Sequence, residues 1–190
     1  MGQLLASPLG DYRQDCARLD ALDGWQARRK LVDIYAHAIP NELAIQTLVR
    51  HCPIVEIGAG RGYWAKLISE AGGDIVAFDA KPPKIAGINK YHPSAGLFFP
   101  VKTGFASKAR AYSARTLFLC WPGDEFADDC LRLYQGATVI YIGEAEGMTA
   151  DECFDARLAS DWKCIDEVSI PTWLGLTDVL RVYSRARAVS

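Results

Sequence analysis

The sequence predicts an α/β protein, a three-layer α-β-α sandwich around a mostly parallel sheet. Three observations predict it. From about residue 40 onward, apolar runs of strand length alternate with stretches of helix length. One such run, Ile54-Val55-Glu56-Ile57, enters a turn with glycine at 58, 60 and 62; a helical stretch and a second apolar run ending in Asp79 follow. The last two apolar runs are joined through Pro171-Thr172-Trp173-Leu174-Gly175-Leu176, a connection so short that the strands must pair antiparallel.

Each element has its own signal. Residues 11–37, rich in Arg, Asp, Leu and Ala, suggest two short helices. Pro40-Asn41-Glu42 opens a helix through about Arg50, with Leu43, Ile45, Leu48 and Val49 as its apolar residues. The first strand follows Pro53. Gly62–Ala71 reads as a helix closed by Gly72-Gly73, and Asp74–Asp79 as the second strand. Lys81-Pro82-Pro83-Lys84, Gly87, Asn89, Pro93, Ser94 and Gly96 break residues 80–96 into a loop, so the crossover helix is short or absent there. Leu97–Thr103 reads as a third strand, placed at a sheet edge by Pro100. Ala106–Ser113 makes a brief helix, and Thr116–Trp121 a fourth strand, apolar as a parallel strand covered on both faces should be. Asp124–Gln135 is a helix with an acidic start and Gly136 as its stop. Thr138–Gly143 is the fifth strand, and Thr149–Ser160 a helix capped by Thr149 with Glu152 three positions on. Lys163–Ile170 and Asp178–Ser184 are the closing pair.

The glycine spacing discriminates between ligands. A dinucleotide fold needs G-x-G-x-x-G, and its third glycine would fall on Tyr63, a bulky aromatic. The pattern present is Glu56-Ile57-Gly58-Ala59-Gly60-Arg61-Gly62, which resembles the first motif of the class I S-adenosylmethionine-dependent methyltransferases. The resemblance extends over roughly residues 40–185. It implies a seven-stranded sheet of order 3-2-1-4-5-7-6 with the last strand antiparallel, and S-adenosylmethionine as cofactor. It further implies that Gly58, Gly60 and Gly62 let the backbone pass close to the methionine end, and that Glu56 helps hold the ammonium group. Asp79 would accept hydrogen bonds from both ribose hydroxyls; it follows Gly58 by about twenty residues, the offset of an acid that reaches a ribose. Ala59, Tyr63, Ala80 and Cys120 complete the expected cofactor contacts. The helix beginning near Gly62 directs free N–H groups at the ligand, which suits the methionine carboxylate.

Cys120-Trp121-Pro122 stands where the family's fourth motif forms the floor beneath the methyl group. Amino-group methyltransferases carry Asn or Asp, Pro, Pro and an aromatic at that motif; a thiol lacks their polar grip, so that mechanism is disfavoured. Trp121 offers an aromatic wall for a sulfonium, or Cys120 and Trp121 simply pack the strand end. Cys120 has no identifiable partner base. Glu144, in Tyr141-Ile142-Gly143-Glu144-Ala145-Glu146, stands as a candidate general base, as a binder of a cationic substrate group, or as a solvated loop acid. His37 is either a titrating group above the cofactor or a structural histidine.

Composition bounds the rest. The 190 residues suit a single domain, 1–51 forming N-terminal helices and 52–190 the Rossmann-like core. A net charge of −2 provides no global basic field for nucleic acid; Lys102, Lys108, Arg110 and Arg115 read as a solvated face, with a local basic patch as the alternative. The six cysteines contain no C-x-x-C pair and the three histidines are scattered, so no metal site is expected. Met1–Pro8 lacks the pattern of a signal peptide, and no apolar run reaches the ~18–20 residues of a membrane span. The expectation is a cytoplasmic methyltransferase acting on an unidentified small-molecule or exposed macromolecular acceptor; its alternative is a non-catalytic module that binds S-adenosylmethionine or S-adenosylhomocysteine.

Overall fold

Asn41 is extended (φ −133°, ψ 171°), and its side chain accepts the amide of Ala44 at 2.8 Å, so a helix starts one residue later. The computed structural model of the chain describes residues 24–144 and 149–186. Its helices are α1 (Gly24–Ile34), α2 (Glu42–Arg50), α3 (Tyr63–Glu70), α4 (Ser107–Ala111), α5 (Asp124–Leu133) and α6 (Glu152–Asp161). Its strands are β1 (Ile54–Ile57), β2 (Ile75–Asp79), β3 (Val101–Thr103), β4 (Thr116–Cys120), β5 (Thr138–Gly143), β6 (Trp162–Ser169) and β7 (Val179–Arg185).

The strands form one sheet in the order β3-β2-β1-β4-β5-β7-β6. The first five are parallel; β7 runs antiparallel to both β5 and β6. The expected order and reversed strand are therefore observed. Side chains alternate across this sheet with the period of a strand. Ile54, Phe118, Ile140 and Val182 face a core shared with Leu31 of α1, Ile45 and Leu48 of α2, and Trp64, Leu67 and Ile68 of α3. Val55, Ile57, Leu117, Leu119 and Val139 face the other core, against Ala109 of α4, Cys130 and Leu131 of α5, and Phe154 and Leu158 of α6. Helix, sheet and helix make the three layers.

Two expectations need correction. The third strand is shorter than Leu97–Thr103: only Val101–Thr103 pairs with β2. Pro100 has no N–H to donate, and Phe98 is drawn to the start of α3 instead. Its amide donates to the Arg61 carbonyl at 2.9 Å, and its ring packs against Tyr63 with centroids 5.1 Å apart. The second correction concerns α6, which begins at Glu152 and is capped by Asp151, whose side chain accepts from the Phe154 amide. Thr149 is drawn away from the helix, since its hydroxyl bonds Tyr141 Oη at 2.6 Å and accepts the Glu144 amide at 2.9 Å. The first of the two expected N-terminal helices, and Glu146, lie outside the described residues.

Candidate functional site

The carboxyl ends of the parallel strands face one edge of the sheet, where ligands of such folds bind. At that edge β1 runs into a turn that needs glycine. Gly58, Gly60 and Gly62 have φ of 84°, 53° and 74°, all in the left-handed region. The Gly58 and Ala59 amides both donate to the Phe78 carbonyl at 2.9 Å, closing the turn onto β2. Gly62 precedes α3 without a side-chain cap. A methyl group on Gly62 would lie 2.8 Å from Val101 Cγ2, so this glycine serves packing against β3.

Glu56, Gly58, Ala59, Tyr63 and Cys120 meet around one cavity, together with Tyr35, Ala36, His37, Trp64 and His92. Glu56 is the unusual group in it. It is 2% exposed, and its Oε2 has no hydrogen-bond partner among the described residues. Burial, and then the neighbouring Asp79, push its carboxyl up to about 8. At neutral pH Glu56 therefore keeps its proton and presents a carboxyl ready to ionise beside a cation.

Asp79 sits at the tip of β2 as expected, but it is already in use. Its Oδ2 accepts the Gly60 amide at 2.9 Å; its Oδ1 accepts the Lys81 amide at 2.8 Å and Asn89 Nδ2 at 3.3 Å. Ala80 beside it is exposed and does not reach the cavity.

The fourth-motif residues are placed differently from one another. Burial, with Glu56 and Asp178 nearby, holds the Cys120 thiol well above its usual range, so it is no thiolate nucleophile. Trp121 does not line the cavity. It holds a left-handed backbone (φ 49°), a strained state for a bulky residue. Its indole Nε1 donates to Asp178 Oδ1 at 2.8 Å, the Arg28 guanidinium lies 4.8 Å from its ring, and His37 stacks on it at 5.5 Å. Burial pushes the Asp178 carboxyl up to about 6, against the pull of the Trp121 bond. Burial, then His92 and Arg28, lower His37 to about 3, so it is a neutral imidazole at pH 7. Glu144 is buried and lies outside the cavity; its Oε1 accepts the Thr177 amide at 3.2 Å, tying the end of β5 to the β6–β7 connection.

Sequence reasoning missed Arg28, Asn89, His92 and Asp178. Asn89 and His92 stood in a segment read as a loop, with no role given to either side chain. Asp178 carried a usable signal, since an acid beginning a buried strand needs a partner, but nothing local points to Trp121.

No protein-family model matches the chain, and no curated protein matches it. Among solved structures it is similar to magnesium protoporphyrin IX methyltransferase from Synechocystis PCC 6803 with bound SAM. The identity is 11% over 93% of this chain and 97% of that one, with a TM-score of 0.49. It is similar to Burkholderia thailandensis 1,6-didemethyltoxoflavin-N1-methyltransferase at 15% identity, covering 94% of this chain and 87% of that one, TM-score 0.47. A third likeness is to the Pyrococcus abyssi tRNA (uracil-54, C5)-methyltransferase in complex with S-adenosyl-L-homocysteine: 12% identity, 75% of this chain, TM-score 0.45. The chain spans only 37% of that protein's length. With TM-scores below 0.5, these likenesses bear neither on the fold nor on activity. The decisive observation is the sheet itself, whose order and single reversed strand are those the first-motif resemblance implied. The fold is that of the class I methyltransferases. Among the described residues, no helix is long and apolar enough to cross a membrane.

Whether the crevice suits the cofactor of this fold divides into chemistry and room. The chemistry fits: a buried carboxyl at Glu56 with one oxygen lacking a partner among the described residues, an acid at the tip of β2, and an uncapped N-terminus at α3. The room does not. The cavity measures about 30 Å³, space for about one water, whereas small-molecule sites run to roughly 300–1,000 Å³.

Proposed function

We propose that this chain is an S-adenosylmethionine-dependent methyltransferase whose cofactor lies between the tips of β1, β2 and β4. The observation that carries the reading is Glu56: a carboxyl buried in the glycine crevice, held neutral, with one oxygen lacking any partner among the described residues. Burying such a group without a bond is costly, and an incoming ammonium offsets that cost. Glu56 would then release its proton to solvent and hold the cation. Asp79 would hold the ribose hydroxyls, and the open N-terminus of α3 would face the carboxylate. When bound, the cofactor supplies an electrophilic sulfonium methyl. The chain's own contribution is to align an acceptor with it and exclude water; the cluster of half-buried His37 and Trp121 with buried Arg28 borders the place where an acceptor would enter.

Calorimetry with S-adenosylmethionine and S-adenosylhomocysteine, in two buffers of different ionisation enthalpy at pH 7, tests this. Binding should release close to one proton, and Glu56→Gln should abolish the release. Absence of binding heat for both compounds in both buffers would sink the reading. A second reading, a binding module without turnover, is favoured by one observation: Trp121 and Glu144 are engaged in bonds within the chain. A labelled-methyl assay over substrate pools separates the two, because the module binds and transfers nothing.

A further inference from the structure

We propose that residues 80–96 form a strap that closes the cofactor crevice by placing Asn89 on the ribose acid and His92 on the glycine turn, so that strap and cofactor compete for the same groups. The inference rests on the cofactor reading above and concerns how that site is regulated.

Four features of the strap argue for it. From 84 to 95 only Asn89 and His92 are buried, and these two occupy the two positions the cofactor needs. Asn89 Nδ2 reaches Asp79 Oδ1 at 3.3 Å and the Lys81 carbonyl at 2.9 Å; its Oδ1 accepts the amides of Tyr91 at 2.9 Å and His92 at 3.2 Å. One side chain thus takes an oxygen of the sugar acid and turns the following backbone so that His92 comes down on the glycines. A methyl group on Gly60 would lie 2.5 Å from His92 Nε2, so the space that side-chain-free backbone leaves there is filled by imidazole. This accounts for a crevice with the right groups and room for about a single water.

The hold on the strap is divided. Its base is anchored: Arg61 donates to the Gly96 carbonyl at 2.9 Å and the Ala95 carbonyl at 3.3 Å, and the Gly96 amide donates to Pro83 at 2.9 Å. Its span is tethered from outside the site, where the side chain of Asp33 in α1 accepts both the amide and the hydroxyl of Ser94. Ile85, Ile88 and Tyr91 are 69%, 46% and 53% exposed, so the span buries little apolar surface. A segment fixed at its base and held along its span by a few polar bonds opens locally without disturbing the core.

The Asp33 side chain touches neither Asp79 nor the glycine turn; its link to the turn is the backbone carbonyl, which accepts Arg61 Nη1 at 3.0 Å and is retained in Asp33→Ala, so that variant loosens the strap and leaves the cofactor groups in place. Ser94→Ala, at an exposed position, removes part of the same tether and serves should Asp33→Ala fail to fold. Two measurements are made on the full chain. In ligand-free wild type, hydrogen exchange of the Gly87, Tyr91 and His92 amides, all bonded within the strap, should be protected, and each variant should speed it. Wild-type exchange across 84–95 at free-chain rates would overturn the proposal. Titrations with S-adenosylhomocysteine should then show roughly tenfold tighter binding in the loosened variants, the gain for an open state rising from about one molecule in ten to most of them. A wild type that binds, with folded variants that bind no tighter, overturns the strap alone. Failure of every protein to bind removes the cofactor reading and the gate with it.

Discussion

At the tips of β1 and β2 the polar groups await a partner or are covered by a removable segment; at the tips of β4, β5 and β7 each has a bond within the chain, and only the second oxygen of Asp178 lacks a partner among the described residues there. Glu56 keeps an oxygen with no partner among the described residues, and Asp79 is met by a side chain from the strap. Across the sheet, Trp121 is bonded to Asp178, and Glu144 accepts from Thr177. The difference teaches where binding energy is held in reserve. A group left unpaired on folding gains on contact with a guest, whereas one already paired has to exchange an existing bond for a new one. The first half is built for ligand capture, the second for holding the wall beside it.

The largest expected effect would break this comparison at Glu56. Its folded value, about 8, lies above the ordinary 4.5, so the folded chain retains a proton that the unfolded chain releases between those values. Stability from this group is fully present below pH 4.5 and is lost as pH rises through about 8. The loss is on the order of 3–5 kcal/mol. Glu56→Gln cannot ionise, so its melting temperature should fall less than that of wild type between pH 5 and pH 8, by on the order of 10 °C. Parallel melting profiles for the two proteins would remove the buried-acid argument.

Next is Gly60→Val. Its φ of 53° disfavours a β-branched side chain by ~1–2 kcal/mol, and the added Cβ meets His92. The melt should drop by about 2–8 °C and cofactor binding should disappear from calorimetry; retained binding would show that the turn is not the contact surface. In the bonded half, Trp121→Phe keeps the ring but removes the donor to buried Asp178. A cost of ~1–3 kcal/mol is expected. Asp178, raised to about 6 from 3.8, contributes stability that is fully present below pH 3.8 and is lost through about pH 6. Losing the Trp121 bond should raise that value further, so the variant should suffer more at pH 7 than at pH 5. Equal losses at both pH values would contradict the assignment.

Glu144→Gln should have the smallest effect, about 1 kcal/mol of stability or less, because an amide oxygen still accepts from Thr177. A fall in transfer rate of roughly 10²–10⁴-fold in that folded variant would instead make Glu144 the general base and reverse the contrast between the halves.

Much of this was legible in the residues. Most strand and helix boundaries followed apolar periodicity and glycine punctuation, β3 and the start of α6 being the exceptions, and the left-handed turn at 58–62 could be read from side-chain size alone. These are local constraints, imposed between near neighbours. The sheet order came from the glycine-motif resemblance, supported by the short link between the last two strands. What spacing does not encode is which distant group fills a given space. The Trp121–Asp178 bond joins residues 57 apart, and the Asp33 tether to Ser94 spans 61; both depend on how connections fold over the finished sheet. The sequence by itself determined a crevice with an acid at each end. Only the tertiary structure decided that one acid keeps an oxygen without a bond among the described residues and the other is held by Asn89, because burial and partnership exist only once remote segments meet.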